Sequence, residues 1–223
     1  IDWSVPVHED ARFQMADGSS PALDAPCPRI ESAGSSVRLR AACESDHAFL
    51  LAVFESTRAY EFAQLGWDGE RISALLAEQF AMQDAYYRQH YCHGRFDVIM
   101  SGEVAIGRLY HDWHGDEARL IDIALLPAYR GAGIGTRLLY AFVAQAAAGA
   151  MPIVLYVEMN NPVQALYRRL GFESVVENGV YLKMRRPAAA FADESGVFIE
   201  GLGSRNWDER RGGAPRDDKA VTI

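Results

Sequence analysis

A glycine-rich run in the middle of the chain has the residue types that bind phosphate. Arg130 is followed by Gly131, Gly133 and Gly135 at alternate positions, and a helical pattern begins at about Thr136. The first N–H groups of a helix have no partner inside the helix, and the helix dipole places partial positive charge there. Glycine lets the backbone approach the guest, and arginine adds a guanidinium for phosphate oxygens. The run therefore predicts a site for a phosphorylated cofactor.

Two common nucleotide-binding loops match this run only in part. A Walker loop ends in Gly-Lys-Ser or Gly-Lys-Thr, whereas this run ends in Gly135-Thr136-Arg137 and has no lysine. The dinucleotide pattern G-x-G-x-x-G matches Gly131 and Gly133, but its third glycine falls on Thr136. The run therefore favours neither an ATP site nor an NAD site.

A second patterned run lies downstream. Residues Ile153 to Val157 are apolar and rich in β-branched and aromatic types, which predicts a buried strand. The Asn-Asn-Pro sequence that follows predicts a turn and a helix start, and Gly171 predicts the end of that helix. The helix carries Tyr167, and Phe172 begins the next strand.

Together the two runs closely resemble the signature segments of the GNAT family of N-acetyltransferases. The family's acyl-CoA loop reads Gln/Arg-x-x-Gly-x-Gly/Ala, which Arg130, Gly133 and Gly135 match, and the downstream run matches N-N-P-x-x-A-L-Y-x-x-L-G-F. The resemblance covers roughly residues 37–186 and neither end of the chain. It implies transfer of an acetyl group from acetyl-CoA to a primary amine, of a small molecule or a protein, by direct attack. A non-catalytic acyl-CoA-binding regulatory module is the alternative.

Periodicity and turn chemistry predict the elements β-α-α-β-β-β-α-β-α-β-β between residues 37 and 186, which is also the family's order. The predicted fold class is α/β, a mixed sheet with helices on both faces, as in the GNAT-like acyl-CoA N-acyltransferase fold. Asn178-Gly179 predicts the last hairpin. Residues 1–36 are predicted as an N-terminal extension and residues 187–223 as a C-terminal arm and tail.

The resemblance also implies which residues bind acetyl-CoA. The pantetheine arm would lie like an extra strand along Ile123, Ala124 and Leu125, where free backbone groups at a splay would pair with its amides. One N–H of this segment would face the thioester oxygen. The pyrophosphate would be held by the loop residues Arg130, Gly131, Ala132, Gly133, Ile134, Gly135 and Thr136.

Tyr167 and one of two asparagines complete the implied cofactor contacts. The family tyrosine lies near the sulfur, and a phenol with an ordinary pKa of about 10 suits protonation of the leaving thiolate. The alternative for Tyr167 is a core tyrosine beside Leu166 and Leu170. Asn160 has the family spacing for an asparagine that contacts the cofactor, and Asn161 would cap the helix, with the two roles exchanged as the alternative.

Asp122 is the first candidate for the base that deprotonates the amine. It lies within an otherwise apolar strand, where burial would raise its pKa toward a useful range. Strand alternation predicts that it faces away from Ile121 and Ile123, unless a bulge intervenes. An ion pair with Arg108 or Arg119 is an equal alternative for this aspartate.

Glu158, at the end of the next strand, is a second candidate base. The family resemblance also implies an acceptor site built from residues 60–69 and from the last hairpin, residues 177–181. Trp67 offers an aromatic wall there, and Glu61 and Glu177 offer negative charge. These residues do not name the amine.

Two groups of histidines have spacings seen at metal sites: His90-x-Cys92-His93 and His111-x-x-His114. Their aromatic neighbours and loop positions favour structural or solvent-facing roles, so we predict no metal.

Composition limits the remaining classes. A chain of 223 residues with 49% hydrophobic residues fits one globular domain with extensions. Its three scattered cysteines argue against a disulfide framework and favour a reducing cytoplasm. A net charge of −8 argues against nucleic acid, and no apolar run reaches the length of a membrane span. The predicted partners are acetyl-CoA and an unidentified amine, with a homodimer left open.

Overall fold

The computed structural model describes residues 37–62 and 67–188 of the chain. The predicted N-terminal extension over residues 1–36 and nearly all of the predicted arm over residues 187–223 lie outside these ranges. None of the helices within the described ranges is long and apolar enough to cross a membrane.

The helices and strands follow one another in the order that the sequence predicts. The helices are α1 (His47–Phe62), α2 (Gly69–His90), α3 (Ile134–Ala148) and α4 (Gln164–Arg169). The strands are β1 (Val37–Ala41), β2 (Arg95–Ser101), β3 (Val104–Asp112), β4 (Ala118–Leu125), β5 (Ile153–Glu158), β6 (Glu173–Glu177) and β7 (Tyr181–Arg186).

Polar side chains fix the starts of the first two helices. The Asp68 carboxylate accepts a hydrogen bond from the Arg71 N–H at 2.8 Å, which caps α2. Asp46 accepts from the Cys43 N–H at 2.8 Å and from both terminal nitrogens of Arg40. It closes the turn of 3-10 helix that precedes α1.

The strands form one mixed sheet in the order β1-β2-β3-β4-β5-β7-β6. Strands β4 and β5 are parallel to each other, and the other neighbouring pairs are antiparallel. Helices cover both faces, because Phe54 of α1 and Phe80 of α2 pack against Val98, whereas Phe142 of α3 and Tyr167 of α4 belong to a separate apolar cluster. The predicted mixed sheet with helices on both faces is therefore confirmed.

A bulge in β4 changes the side-chain pattern of that strand. Tyr110 of β3 is opposite Asp122, but the next residue of β3 is opposite Leu120, so Ile121 is an extra residue. Ile121 packs with the tyrosines of α2 and β3, whereas Leu120 and Ile123 both face the α3 cluster. The predicted alternation therefore holds for Asp122 and Ile123, whereas Ile121 shares the α1 and α2 side with Asp122 because of the bulge that the prediction left open.

Candidate active site

Strands β4 and β5 are paired along only part of their length. The parallel ladder joins residues 118–120 of β4 to residues 153–155 of β5. Beyond it, β4 continues to Leu125 and β5 to Glu158, and the two strands have no ladder pairing there. The central sheet therefore splays open at the carboxyl ends of these two parallel strands.

The peptide groups of β4 point alternately into this splay. The Leu126 N–H donates to the Ile106 carbonyl at 2.9 Å, and the register continues along both strands. Because antiparallel ladder bonds recur at every second residue, Ala124 and Asp122 also bond to β3. The peptide groups of Ile123 and Leu125 therefore face the gap between β4 and β5, where no other strand of the described residues pairs with them.

The glycine loop follows directly from the open end of β4. After a turn of 3-10 helix, Gly131 and Gly133 both have φ of +76°, a conformation that favours glycine. Gly133 is the N-cap of α3, so the helix begins at Ile134, two residues before the predicted start. No side chain caps this helix, and a Cβ at Gly131 or Gly133 would meet no atom within 4 Å. The loop thus leaves the first N–H groups of a 15-residue helix open for an anion.

The Arg130 guanidinium, which was expected to bind the phosphate, forms hydrogen bonds within the protein. Its Nε donates to the Leu125 carbonyl at 2.7 Å, and its Nη2 donates to the Ser56 hydroxyl at 2.9 Å. The side chain therefore ties the loop to the end of β4 and to α1. A phosphate contact by Arg130 stays a prediction, and so does anion binding by the backbone donors at the start of α3.

Tyr167 lies on α4 with only 4% of its surface exposed. Its ring packs against Phe172 with the centroids 5.7 Å apart. Burial, and after it the charge of Asp122, raises the pKa of Tyr167 well above the ordinary value for a phenol. The hydroxyl is therefore protonated at neutral pH and can act as a proton donor.

The two asparagines that follow β5 are in different environments. The Asn161 side chain accepts a hydrogen bond from the Val163 N–H at 3.0 Å in the turn before α4, but the N-cap of α4 is Val163 and no side chain caps the helix. Asn160 is exposed at the end of β5. A cofactor contact by Asn160 stays a prediction.

Asp122 forms the ion pair that was the alternative to its role as a base. Its carboxylate lies 2.5 Å from Nη2 of Arg108, and each side chain is only 2% exposed. Arg119, the other candidate partner, pairs with Glu117 instead. Burial raises the pKa of Asp122, although the charge of Arg108 acts in the opposite direction. The base role of Asp122 stays a prediction.

Glu158 lies in a more open cluster at the end of β5. Its side chain is 33% exposed and is 3.6 Å from Arg58 of α1, which also binds Glu61 at 3.0 Å. Tyr181 is opposite Glu158 across the β5–β7 ladder, and burial, followed by the charge of Glu158, raises its pKa. Arg58 was not among the predicted site residues, although its spacing of three residues from Glu61 on one helix was a usable signal.

Part of the expected acceptor wall is also described. Trp67 is 39% exposed, with Arg71 4.2 Å above its ring and Phe62 6.4 Å away between ring centroids. Residues 63–66 of the predicted wall lie outside the described ranges. Glu177 is exposed on β6.

The histidines have contacts with other side chains. His111 is buried, accepts a hydrogen bond from the Trp113 indole at 2.8 Å and lies 3.2 Å from the Asp97 carboxylate. His93 stacks on His114 with the ring centroids 4.1 Å apart. Among the described residues, no group of three or more His, Cys, Asp and Glu side chains could hold a metal ion.

Residues 47–172 match the family model described as the acetyltransferase (GNAT) family. The chain belongs to this family. The match spans the first helix, the open end of β4, the glycine loop and α4.

Two solved structures show the same fold. The PaiA N-acetyltransferase of Thermoplasma acidophilum, in complex with coenzyme A, has a TM-score of 0.52 and 21% identity, over 68% of this chain and 98% of that one. A Corynebacterium glutamicum protein described as histone acetyltransferase HPA2 and related acetyltransferase has a TM-score of 0.50 and 23% identity, over 70% of this chain and 98% of that one. No curated protein matches the sequence significantly.

Proposed function

We propose that this GNAT protein is an N-acetyltransferase that transfers the acetyl group of acetyl-CoA to a primary amine by direct attack. The observation that carries the proposal is the continuity of the open β4 edge with the uncapped start of α3. The pantetheine arm of acetyl-CoA is extended, carries amides and ends in a pyrophosphate. It therefore fits an open strand edge that leads directly to an uncapped helix start. The coenzyme A complex of the Thermoplasma structure agrees with that choice of ligand.

The chain's residues divide the work of holding acetyl-CoA. The peptide groups of Ile123 and Leu125 would pair with the pantetheine amides, because they point into the splay. Residues 131–136 would hold the pyrophosphate with backbone N–H groups. An N–H of the β4 edge would donate to the thioester oxygen and so stabilise the negative charge that develops there.

Acetyl-CoA supplies an activated thioester, so the amine nitrogen forms a bond to the carbonyl carbon while the carbon–sulfur bond breaks. The Tyr167 hydroxyl would give its proton to the departing sulfur. Burial raises its pKa, which keeps it protonated in the free protein but also makes it a weaker acid. The same proton transfer would prevent the thiolate from attacking the product.

Two carboxylates are proposed as acceptors of the amine proton. Asp122 lies beside the splay but is buried against Arg108, whereas Glu158 is partly exposed at the end of β5. If either is the base, kcat/KM should rise with pH as that carboxylate loses its proton, and the rise should vanish in Asp122→Asn or Glu158→Gln. Amines of different pKa serve as the control. A rising limb that follows the amine and persists in both variants would assign proton removal to solvent.

The test of the proposed function is release of the CoA thiol in an amine library that contains antibiotics, polyamines, amino acids and peptides with free N-termini. We expect release with at least one amine and an N-acetylated product by mass spectrometry. Reactions without the amine and reactions without the enzyme give the background rate. Tight acetyl-CoA binding without release for any amine would favour the alternative, a non-catalytic acyl-CoA-binding module.

The proposed setting follows from the sequence. We propose that the enzyme works in the cytoplasm, because scattered cysteines fit a reducing compartment. The described Cys43 and Cys92 are free thiols on the surface.

A further inference from the structure

A buried arginine lies directly behind the open part of β4. Arg108 of β3 is 2% exposed and contacts Asp122 on the neighbouring strand. Its Nη2 also donates to the Gln83 side chain of α2 at 3.2 Å. One guanidinium thus joins β4 to α2 across the layer between sheet and helices.

Aromatic rings fix the position of this guanidinium from several sides. Its central carbon lies 5.3 Å from the Tyr110 ring centroid, 5.8 Å from that of Phe54 and 6.0 Å from that of Phe80. Cation–π attraction at these distances favours the observed place, and the rings leave little room for another. The side chain can therefore act as a fixed point for whatever it binds.

Arg108 binds Asp122, the residue that follows the bulge. Ile121 is the extra residue of β4, Asp122 follows it, and the Ile123 peptide that faces the splay comes next. Asp122 is thus held one residue from a peptide group of the open β4 edge, and its carboxylate also interacts with the Ile123 N–H. A shift of the Asp122 side chain would turn the adjoining peptide, since the two share the same short stretch of backbone.

We propose that Arg108 is a positioning residue: by holding Asp122 on the α1 and α2 side, it keeps the bulge in place and the Ile123 N–H aimed into the splay. The consequence for catalysis rests on the proposed function. An apolar pair would fill this space without the desolvation cost of two buried charges, because buried ion pairs are often no more stable than apolar replacements. The charged pair instead adds a contact of defined direction next to the bulge, where the side chains of β4 change from one face of the sheet to the other.

The test compares Arg108→Met and Arg108→Lys with Arg40→Met. Arg40 also binds an aspartate with both terminal nitrogens, but it lies on β1, three strands from β4. For each purified full-length variant, we would measure the unfolding midpoint, amide hydrogen exchange over residues 120–126, acetyl-CoA affinity, kcat and its pH dependence. Both contacts of Arg108 come from Nη2, so lysine keeps the charge and a donor nitrogen but lacks the planar guanidinium that lies among the aromatic rings.

We expect both Arg108 variants to exchange faster over residues 120–126 and to lose roughly 10- to 100-fold in kcat, because a small misplacement of a reacting group has effects of this size. Acetyl-CoA affinity should change less than about 3-fold, since the backbone donors at α3 remain, and the pH of half-maximal rate should not move. Arg40→Met should lower the unfolding midpoint without the local exchange or the kcat loss.

Three results would overturn the inference. The first is an Arg108→Lys variant whose amide exchange and kcat equal those of the wild type. This variant also tests the role of Arg108 if Arg108→Met does not fold. Another is an equal kcat loss in Arg40→Met, which would mean general destabilisation. The third is a rising pH limb that moves in the Arg108 variants, which would assign the effect to the charge of Asp122. If wild type releases no CoA with any amine, the proposed function fails, while the exchange comparison still decides the role of Arg108.

Discussion

The two halves of β4 show how one strand can serve both the core and a binding site. Residues 119 and 120 pair with β3 on one side and β5 on the other, and Leu120 is almost fully buried. Residues 122–125 pair with β3 alone, and their other edge faces the splay. The change occurs at the bulge, where the pattern of side chains also changes face. A binding edge therefore needs no separate element, only the loss of one neighbour.

The largest effect should come from the closed half. Leu120→Ala removes a buried side chain and leaves a cavity, so it should lower the free energy of unfolding by about 2–5 kcal/mol. Leu125→Ala, in the open half, should lower it by about 1–2 kcal/mol, since its side chain is only partly buried. Urea unfolding measures both values. Equal losses would mean that the two halves do not differ in packing.

The next effect concerns the loop that continues the open half. Gly133→Val places a β-branched residue at φ of +76° and fills the space above the first N–H groups of α3. Loss of two charge-assisted hydrogen bonds would weaken acetyl-CoA binding by about 3 kcal/mol, or roughly 100-fold. Isothermal titration calorimetry measures the Kd.

Gly102→Val is the matched control for this substitution. Gly102 also has positive φ and open space around it, but it lies in the β2–β3 turn. It should lose stability without losing acetyl-CoA affinity. Equal affinity losses in the two variants would contradict the loop assignment.

Tyr167→Phe tests the chemistry that the open half would present. The ring packing against Phe172 is kept and only the hydroxyl is lost, so kcat should fall by roughly 100-fold while acetyl-CoA affinity changes little. Tyr87→Phe, at another buried tyrosine with a raised pKa, is the control. A variant with the parent's kcat, under conditions where chemistry limits the rate, would leave Tyr167 as a packing residue.

Arg130→Ala should have the smallest effect. It removes the hydrogen bonds to Leu125 and Ser56 but leaves the backbone donors of α3 unchanged. We expect acetyl-CoA affinity to fall by less than about 10-fold, or about 1.4 kcal/mol. A larger loss, in binding titrations over a range of salt concentrations, would mean that the guanidinium binds the phosphate directly.

Local sequence signals predicted most of the fold. The glycine loop, the Asn178-Gly179 turn and the apolar run over residues 153–157 each depend on residues close in the chain, and each predicted the right element. In the hairpin, the Asn178 side chain accepts a hydrogen bond from the Tyr181 N–H at 2.8 Å, and Gly179 has φ of +89°. Such signals depend on backbone preferences that act over a few residues.

The candidate site was only partly predictable. The sequence alone predicted the order of elements, the resemblance to the family, the loop expected to bind an anion and the residues expected to serve acetyl-CoA. Only the tertiary structure decided that Ile121 is a bulge, that Asp122 binds Arg108 and that Arg130 turns back to Leu125. Each of these is set by the register of β3 against β4 or by packing against α1 and α2, between residues far apart in the chain. The periodicity of one strand does not show which strand pairs with it or in which register. The pairing strand determines which way each side chain and each peptide group points.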